Sequence, residues 1–157
     1  MKIVVTSDNH GLKKELDAIR QKHSDYDAFI HCGDSEMTNH ELSGWASVAG
    51  NNDYYADLPE SRIVNVNGFK IFVTHSHLVS YFNRIDRLVK LAKRNECQMV
   101  CFGHSHIFMD EVKDDVFLVN PGSMRYNRDA TEPCYAIITI DDHDYSNVSV
   151  KRINLNR

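Results

Sequence analysis

Short apolar runs of three to six residues alternate with polar turns along the first two thirds of the chain. Runs of this length that are rich in β-branched and aromatic residues predict buried strands, here at residues 2–6, 28–30, 47–49, 62–67, 69–74 and 98–102. Apolar side chains recur with a helical period over residues 11–22 and 82–95, which predicts two amphipathic helices. Asn67-Gly68 separates two of the strands and predicts a tight hairpin, because a type I′ turn needs positive φ at both central residues.

The last third of the chain has strand-like runs and no helical periodicity. Residues 107–112, 116–119, 135–140 and 148–153 predict four strands joined by short acidic turns such as Asp114-Asp115. We therefore expect βαβ units in the first part and an antiparallel meander in the second. Two sheets packed face to face with helices outside would bury both patterns, so the sequence predicts a single α/β domain over residues 1–157.

Composition and charge limit the classes of function. The formal net charge is −4, which argues against a protein that binds nucleic acid mainly through phosphate contacts, although a bound cation could still serve a nucleotide substrate. No run of about 18 apolar residues exists, and the amino-terminal run turns polar after Thr6, so we expect neither a membrane span nor a signal peptide. Cys32, Cys97, Cys101 and Cys134 form no Cys-x-x-Cys pair, and we expect reduced, buried thiols in a cytoplasmic protein.

Histidine is unusually frequent, with nine residues, and polar side chains directly follow five of the predicted strands. In chain order these side chains are Asp8 and His10, Asp34, Asn51, His75, and His104 and His106. Ligands bind outside the carboxyl ends of the strands in open α/β sheets, so side chains from separate loops can meet there. The sequence therefore predicts one polar site built from seven residues.

The types of these side chains suit a borderline divalent metal ion. Imidazole, carboxylate and amide groups together favour Mn²⁺, Fe²⁺, Ni²⁺ or Zn²⁺ over an all-oxygen Mg²⁺ or Ca²⁺ site. Seven ligands exceed what one ion with room for a substrate needs, and they suit two ions that share a carboxylate. Each motif alone has a simpler interpretation: Asp8 as a helix cap, Asn51 as a turn residue and His75 as a packed histidine. If these simpler interpretations were right, five strands would each be followed by a potential metal ligand by coincidence. We therefore favour the metal site.

The motifs resemble those of the calcineurin-like metallophosphoesterase superfamily, whose pattern is D-x-H, G-D, G-N-[H/D/E], H and G-H-x-H. Here they are Asp8-Asn9-His10, Gly33-Asp34, Gly50-Asn51-Asn52, His75 and Gly103-His104-Ser105-His106. The chain looks most like the small single-domain YfcE-like phosphodiesterases, which also carry an N-P-G-S motif, here Asn120-Pro121-Gly122-Ser123, followed by an arginine that matches Arg128. The resemblance implies a four-layer αββα sandwich of two mixed β-sheets flanked by helices.

The resemblance also implies how the ligands divide between two ions. The first ion would be held by Asp8, His10, Asp34 and His106, and the second by Asp34, Asn51, His75 and His104. Asp34 would bridge the ions, which we expect to be manganese, with nickel, iron and zinc as alternatives. The implied activity is hydrolysis of small phosphodiesters, nucleotide-derived ones among them, by a hydroxide that bridges the two cations.

Position 52 departs from the pattern of the superfamily's protein phosphatases, which have histidine there. Asn52 cannot supply a titrating proton to the leaving group, and general acid catalysis contributes about a hundredfold or more. We therefore expect weak hydrolysis of unactivated phosphomonoesters and better hydrolysis of diesters with good leaving groups. The candidate catalytic residues are Asp34, Asn51, His77 and Asn9.

Three residues near these motifs have two open interpretations each. His77 either donates a proton or orients another ligand. Asn9 either touches the substrate phosphate or fills a turn, and Arg128 either clamps phosphate or forms a surface salt bridge.

Three other functions remain open. Asn52 disfavours a phosphomonoesterase or protein phosphatase, and the complete set of ligands disfavours a non-catalytic scaffold such as the retromer subunit of the superfamily. The acidic balance and the lack of a basic stripe disfavour a nuclease that acts on long polynucleotides. The expected partners are a small phosphodiester and, by analogy with the YfcE-like branch, further copies of the chain in a dimer or higher oligomer, with no stable nucleic-acid complex and no membrane.

Overall fold

The computed structural model of the protein describes residues 1–156, which form two five-stranded β-sheets and two α-helices. In chain order the elements are β1 (Lys2–Thr6), α1 (Lys13–Lys22), β2 (Ala28–His31), β3 (Ala46–Ser47), β4 (Ser61–Val66), β5 (Phe69–Thr74), a 3₁₀ turn (Tyr81–Asn83), α2 (Arg84–Arg94), β6 (Met99–Phe102), β7 (Phe108–Lys113), β8 (Val116–Pro121), β9 (Cys134–Ile140) and β10 (Val148–Asn154). Sheet A has the strand order β10-β9-β1-β2-β3, and sheet B has the order β4-β5-β6-β8-β7. Both sheets are mixed, because β1, β2 and β3 run parallel in sheet A and β5, β6 and β8 run parallel in sheet B, while the remaining pairs are antiparallel.

The inner faces of the two sheets pack against each other and form the main core. Val5 of β1 and Val73 of β5 share this core, and both side chains are fully buried. Leu16 of α1 packs over the outer face of sheet A, and Leu88 of α2 packs over the outer face of sheet B. The resulting order of helix, sheet, sheet and helix confirms the predicted four-layer αββα sandwich.

The C-terminal strands differ from the predicted antiparallel meander. The β7–β8 hairpin belongs to sheet B, whereas the β9–β10 hairpin belongs to sheet A. β8 also pairs in parallel with β6, because the chain leaves β6, forms the edge strand β7 and then inserts β8 between them. Parallel strands are usually connected by a helix, but here the connection is the strand β7. The absence of helical periodicity therefore predicted antiparallel strands, and the parallel pair was missed. The prediction of a meander was wrong for this reason.

Most element boundaries lie within two residues of the prediction. α1 begins at Lys13 instead of residue 11, because Gly11 has a φ of +80° and cannot be its first turn. Residues 82–83 belong to the 3₁₀ turn that precedes α2. The Asn67-Gly68 hairpin is confirmed, with φ of +50° and +90° at these two residues.

The four cysteines are free and buried, as predicted. Burial raises the pKa of the Cys32 and Cys101 thiols well above the ordinary value, so both remain protonated and are poor metal ligands. Within residues 1–156 neither helix has the length and apolarity that crossing a bilayer requires. The cytoplasmic location stays a prediction.

Candidate metal centre

The predicted ligands follow the carboxyl ends of parallel strands from both sheets. Asp8 and Asp34 follow β1 and β2 of sheet A, and His75 follows β5 of sheet B. The N–H of Asp8 donates to the C=O of Gly33 at 3.0 Å, and the N–H of His10 donates to the C=O of Asp34 at 3.1 Å. These backbone bonds hold the first two loops side by side and bring their carboxylates together.

Two groups of candidate ligands share the carboxylate of Asp8. One group is Asp8, His10 and His106, the other is Asp8, Asp34 and His75, and the potential ligand atoms within each group lie within 4.8 Å of one another. Asp8 Oδ1 is 3.0 Å from His106 Nε2 and 3.8 Å from His75 Nε2. Asp34 Oδ2 is 3.4 Å from His75 Nε2. The structure thus places Asp8 between the two groups, and the bridging position that the resemblance assigns to Asp34 stays a prediction.

Asn51 and His104 join this cluster through the amide oxygen of Asn51. Asn51 Oδ1 lies 3.1 Å from His75 Nε2 and 3.1 Å from His104 Nδ1. The ring centroids of His75 and His104 are 5.1 Å apart. All seven predicted ligands therefore lie in one connected cluster.

The hydrogen bonds of two histidines orient them as metal ligands. His75 Nδ1 donates to the C=O of Cys32 at 2.7 Å, and His106 Nδ1 donates to the C=O of Tyr126 at 3.1 Å. A carbonyl oxygen only accepts, so Nδ1 carries the proton in each ring and the Nε2 lone pair faces a carboxylate. A lone pair and a carboxylate oxygen at about 3 Å need a proton or a cation between them. This arrangement, with Nδ1 bonded to a backbone carbonyl and Nε2 directed at other potential ligand atoms, is typical of metal-binding histidines, so the donor set fits divalent cations.

The site keeps its two carboxylates ionised. Burial alone would raise the pKa of Asp34, but hydrogen bonds and charge from His75 and two N–H donors of Asn52 lower it well below the ordinary value. The two Asn52 bonds, from the backbone N and from Nδ2, are 2.8 and 2.9 Å long. Burial of Asp8 is likewise outweighed by His106 and His75, so its pKa is also lowered.

The histidines of the site differ in their protonation. Burial of His75 would lower its pKa, but Asp34 and Asp8 raise it above the ordinary value, so a cation bound at Nε2 must displace a proton at low pH. Burial and the charges of His75 and Arg84 lower the pKa of His104 to about 4, which keeps this ring neutral at pH 7.

Left-handed backbone conformations are concentrated at the ligands. Asp8, His10, Asp34, His104 and His106 have φ between +42° and +69°. Non-glycine residues rarely adopt this region, and such strain persists only where surrounding contacts enforce it. The five side chains are therefore directed by an enforced backbone rather than by local preference.

Glycines next to the ligands leave room for the carboxylates. A Cβ added at Gly50 would lie 2.1 Å from Asp34 Oδ1, and one added at Gly103 would lie 2.1 Å from Ser7 Oγ, whose hydroxyl is hydrogen-bonded to Asp8. Any side chain at either position would displace a ligand or its partner.

The sequence did not identify Asp53 as part of the site. Its carboxylate accepts hydrogen bonds from the backbone N–H groups of Asp34, Glu36 and Gly50 at 2.7–2.8 Å and from the hydroxyl of Ser35 at 3.1 Å. These bonds tie the loop that carries Asp34 to the loop that carries Asn51. The only sequence signal was a carboxylate three residues after Gly50, a spacing common in ordinary turns.

The N-P-G-S motif supports the ligand loops. Asn120 Nδ2 donates to the C=O of Gly103 at 3.1 Å and to Ser105 Oγ at 3.0 Å. Ser123 Oγ donates to the C=O of Asp8 at 3.0 Å. The sequence revealed the motif but not this role, because its partners are 15 or more residues away along the chain.

The side chain of Asn9 bonds to residues outside the ligand cluster, which weighs against it as a candidate catalytic residue. Its side chain is fully buried. His31 Nδ1 accepts the N–H of Gly33 at 3.1 Å, so Nε2 carries the proton and donates to Asn9 Oδ1 at 2.9 Å. Asn9 Nδ2 donates to the sulfur of Met37 at 3.2 Å. The amide is thus satisfied internally, and of its two interpretations the structure favours the one in which Asn9 supports a turn.

His77 lies beside the ligands without joining either group of potential ligands. Its ring centroid is 5.4 Å from that of His75 and 6.3 Å from that of His104. Its Nδ1 is buried and has no hydrogen-bond partner within residues 1–156. Burial and the charge of His75 lower the pKa of His77, so the ring is neutral at pH 7 and is a poor proton donor. Its position supports an orienting role better than general acid catalysis.

Comparisons with known proteins agree with the motifs and the fold. The sequence profile of the calcineurin-like phosphoesterase superfamily domain matches residues 1–143. A protein of Bacillus subtilis named a probable metallophosphoesterase is 37% identical over 145 residues, covering 90% of this chain and 86% of that protein. A phosphodiesterase of Methanocaldococcus jannaschii is 28% identical over 147 residues, covering 78% of this chain and 83% of that protein. The crystal structure of a Streptococcus pneumoniae protein described as a predicted phosphoesterase has 31% identity and a TM-score of 0.88, covering 98% of this chain and 88% of that one.

Proposed function

Because the chain belongs to the calcineurin-like phosphoesterase superfamily, we propose that it is a phosphodiesterase that hydrolyses small phosphodiesters with the help of two divalent cations. The observation that carries this proposal is the pair of donor groups that meet at Asp8, each with oriented imidazole nitrogens and ionised carboxylates. The relative from Methanocaldococcus jannaschii is named a phosphodiesterase, which agrees with the proposed substrate class.

The seven ligands would hold the cations, with manganese as the expected metal and nickel, iron or zinc as alternatives. One group would be centred on His10 and His106 and the other on His75, Asn51 and His104, with the carboxylates of Asp8 and Asp34 between them. Such cations, when bound, lower the pKa of an attacking water and polarise the phosphoryl oxygens.

Residues of the chain prepare this centre in three ways. Asn52 donates two hydrogen bonds to Asp34 and keeps both of its oxygens directed into the site. His104 is neutral at pH 7 and so offers a lone pair without prior loss of a proton. Asn52 has no titrating proton to give to a leaving group, so the reaction depends on the quality of the leaving group and favours activated diesters over unactivated monoesters.

Two arginines near His104 would bind the substrate phosphate. The positive charges of Arg84 and Arg128 both lower the pKa of His104. The backbone N–H of Arg128 donates to the C=O of His106 at 3.0 Å, which ties Arg128 to a predicted ligand. Within residues 1–156 neither arginine forms a salt bridge, and the Nε of Arg84 is buried without a partner. Two guanidinium groups without carboxylate partners beside a cation site suit a phosphate oxygen. We therefore propose that Arg128 binds phosphate and does not form a surface salt bridge.

The direct test compares two substrates on metal-stripped protein supplied with Mn²⁺, Ni²⁺, Zn²⁺ or Mg²⁺ in turn. We expect hydrolysis of bis(p-nitrophenyl) phosphate to require an added cation and to exceed hydrolysis of p-nitrophenyl phosphate. A preference for the monoester would instead favour a phosphomonoesterase. Protein that binds none of these cations and hydrolyses neither ester would favour a scaffold role.

A further inference from the structure

A groove of about 530 Å³ lies between α2, the end of β5 and the loop that follows it. Its apolar wall is formed by Phe72, Leu78, Val79 and Leu91. The side chain of Leu78 is 65% exposed, so this wall presents apolar surface to solvent. The volume is within the range of about 300–1,000 Å³ that is usual for small-molecule sites.

Three cations line one side of the groove. Arg87, Lys90 and Arg94 are spaced three and four residues apart on α2, which places them on the same flank of the helix. Within residues 1–156 none of the three forms a salt bridge, and the one acidic residue among those that line the groove is Glu60, which directly precedes β4. This row of three cations is local to α2, and helical spacing separates its members along the sequence.

The groove adjoins the candidate metal centre. Thr74, which lines the groove, directly precedes His75, and Leu78 directly follows His77. The short loop between Thr74 and Leu78 therefore lies between the groove and the centre. Arg84 lies one turn before Arg87 on α2, so the row of cations continues toward the proposed phosphate-binding arginines.

We propose that this groove binds the part of the substrate beyond the scissile phosphate, and that this part combines an apolar ring or chain with a second anionic group. The proposal rests on the proposed phosphodiesterase function. The apolar wall would cover the ring or chain, and the flank of α2 would pair with the second anion. The chain as a whole has a net charge of −4, so the positive charge of the groove is local. The groove therefore favours a ligand with one negative group at this position and does not attract long polyanions in general.

The test uses the variant Arg87→Gln/Lys90→Gln/Arg94→Gln, with Lys93→Gln as the matched control. Lys93 is exposed on the same helix but does not line the groove. The two substrates are dithymidine monophosphate and the same dinucleotide with an added terminal phosphate, and the measured quantity is the ratio of their kcat/KM values. We expect the unmodified protein and Lys93→Gln to favour the phosphorylated dinucleotide by about tenfold, and the triple variant to bring the ratio close to one.

An equal ratio in all three proteins, together with hydrolysis of bis(p-nitrophenyl) phosphate, would overturn the groove proposal while leaving the phosphodiesterase proposal intact. A second measurement covers the case in which no ester is hydrolysed and the proposed function itself fails. Thymidine 3′,5′-bisphosphate is then titrated into each protein and followed by NMR. Shifts at α2 that persist in Lys93→Gln and disappear in the triple variant support the groove as an organic-anion site, and the absence of such shifts overturns it.

Discussion

The carboxylate of Asp53 accepts the backbone N–H of Asp34 at 2.8 Å, although the two residues lie in different loops. Asp53 also accepts the N–H groups of Glu36 and Gly50, so one side chain fixes the left-handed turn that carries Asp34. Asp53 is thus a positioning residue: it belongs to neither group of potential metal ligands, and it holds the backbone on both sides of Asp34.

Replacement of Asp53 by Asn should weaken metal binding. One oxygen becomes an NH₂ group that faces N–H donors, so the two loops should separate. Metal affinity should then fall by roughly 10- to 100-fold, which is the usual loss when a group that orients a metal ligand is removed. Titration calorimetry with Mn²⁺ measures this change. Asp57→Asn, an exposed carboxylate in the same loop, is the control and should retain the affinity of the unmodified protein. Equal affinity in Asp53→Asn would mean that the loops are held by other contacts.

Replacement of Asp34 by Asn should abolish the diesterase activity. The change removes a negative charge from the middle of the donor set and leaves an amide beside His75, so we expect kcat/KM to fall by at least about 10³-fold, the scale seen when an essential catalytic group is lost. The rate of bis(p-nitrophenyl) phosphate hydrolysis with Mn²⁺ measures the effect, and circular dichroism checks that the variant is folded. A fully active, folded variant would contradict the central role of Asp34.

Replacement of Asn52 by His should raise phosphomonoesterase activity relative to diesterase activity. A histidine there could protonate a poor leaving group, a contribution of about 10² or more, while the backbone N–H to Asp34 is kept. The ratio of kcat/KM for p-nitrophenyl phosphate and its diester, compared across leaving groups of increasing pKa, reports this gain. Asn52→Ala is the matched control, because it also loses the Nδ2 bond to Asp34 but adds no acid. The same ratio in both variants would show that residue 52 does not reach the leaving group.

The sequence predicted the fold class and singled out seven side chains that the fold brings into one cluster, but not how the cluster is supported; their role as metal ligands stays a prediction. The ligand positions were visible because each one follows an apolar run, and strand ends converge at one edge of a sheet. The roles of Asp53 and Ser123 could not be seen, because they depend on loop geometry that is set only after both sheets have packed. The parallel pairing of β8 with β6 was missed for a similar reason, because the sequence of a strand does not indicate which other strand it pairs with.

The buried histidine His31 should make the protein less stable in acid. Burial lowers its pKa from 6.5 to about 4, so the unfolded chain takes up a proton over this interval and the folded chain does not. The contribution of neutral His31 to the free energy of unfolding is therefore fully present above pH 6.5. It is lost as the pH falls toward 4, and the loss amounts to about 3 kcal/mol. Urea denaturation of chelator-treated protein across this interval measures the loss.

His31→Gln isolates this contribution, because an amide can donate to Asn9 Oδ1 but does not titrate. We expect the free energy of unfolding of His31→Gln to depend less steeply on pH than that of the unmodified protein, by up to about 1.4 kcal/mol per pH unit between 6.5 and 4. His143→Gln, at an exposed position, should leave the dependence unchanged. Identical slopes for all three proteins would assign the acid sensitivity to other groups.

The position of β1 between β2 and β9 has a consequence for biosynthesis. β1 is synthesised before its second neighbour β9, which is completed only near residue 140; at about 5 to 20 residues per second this takes roughly 7 to 27 s longer. During that interval one edge of the nascent central strand stays open and Asp8 lacks the hydroxyl of Ser123 that holds its loop. We therefore expect metal binding by Asp8 and its partners only after β9 has been synthesised and has paired with β1.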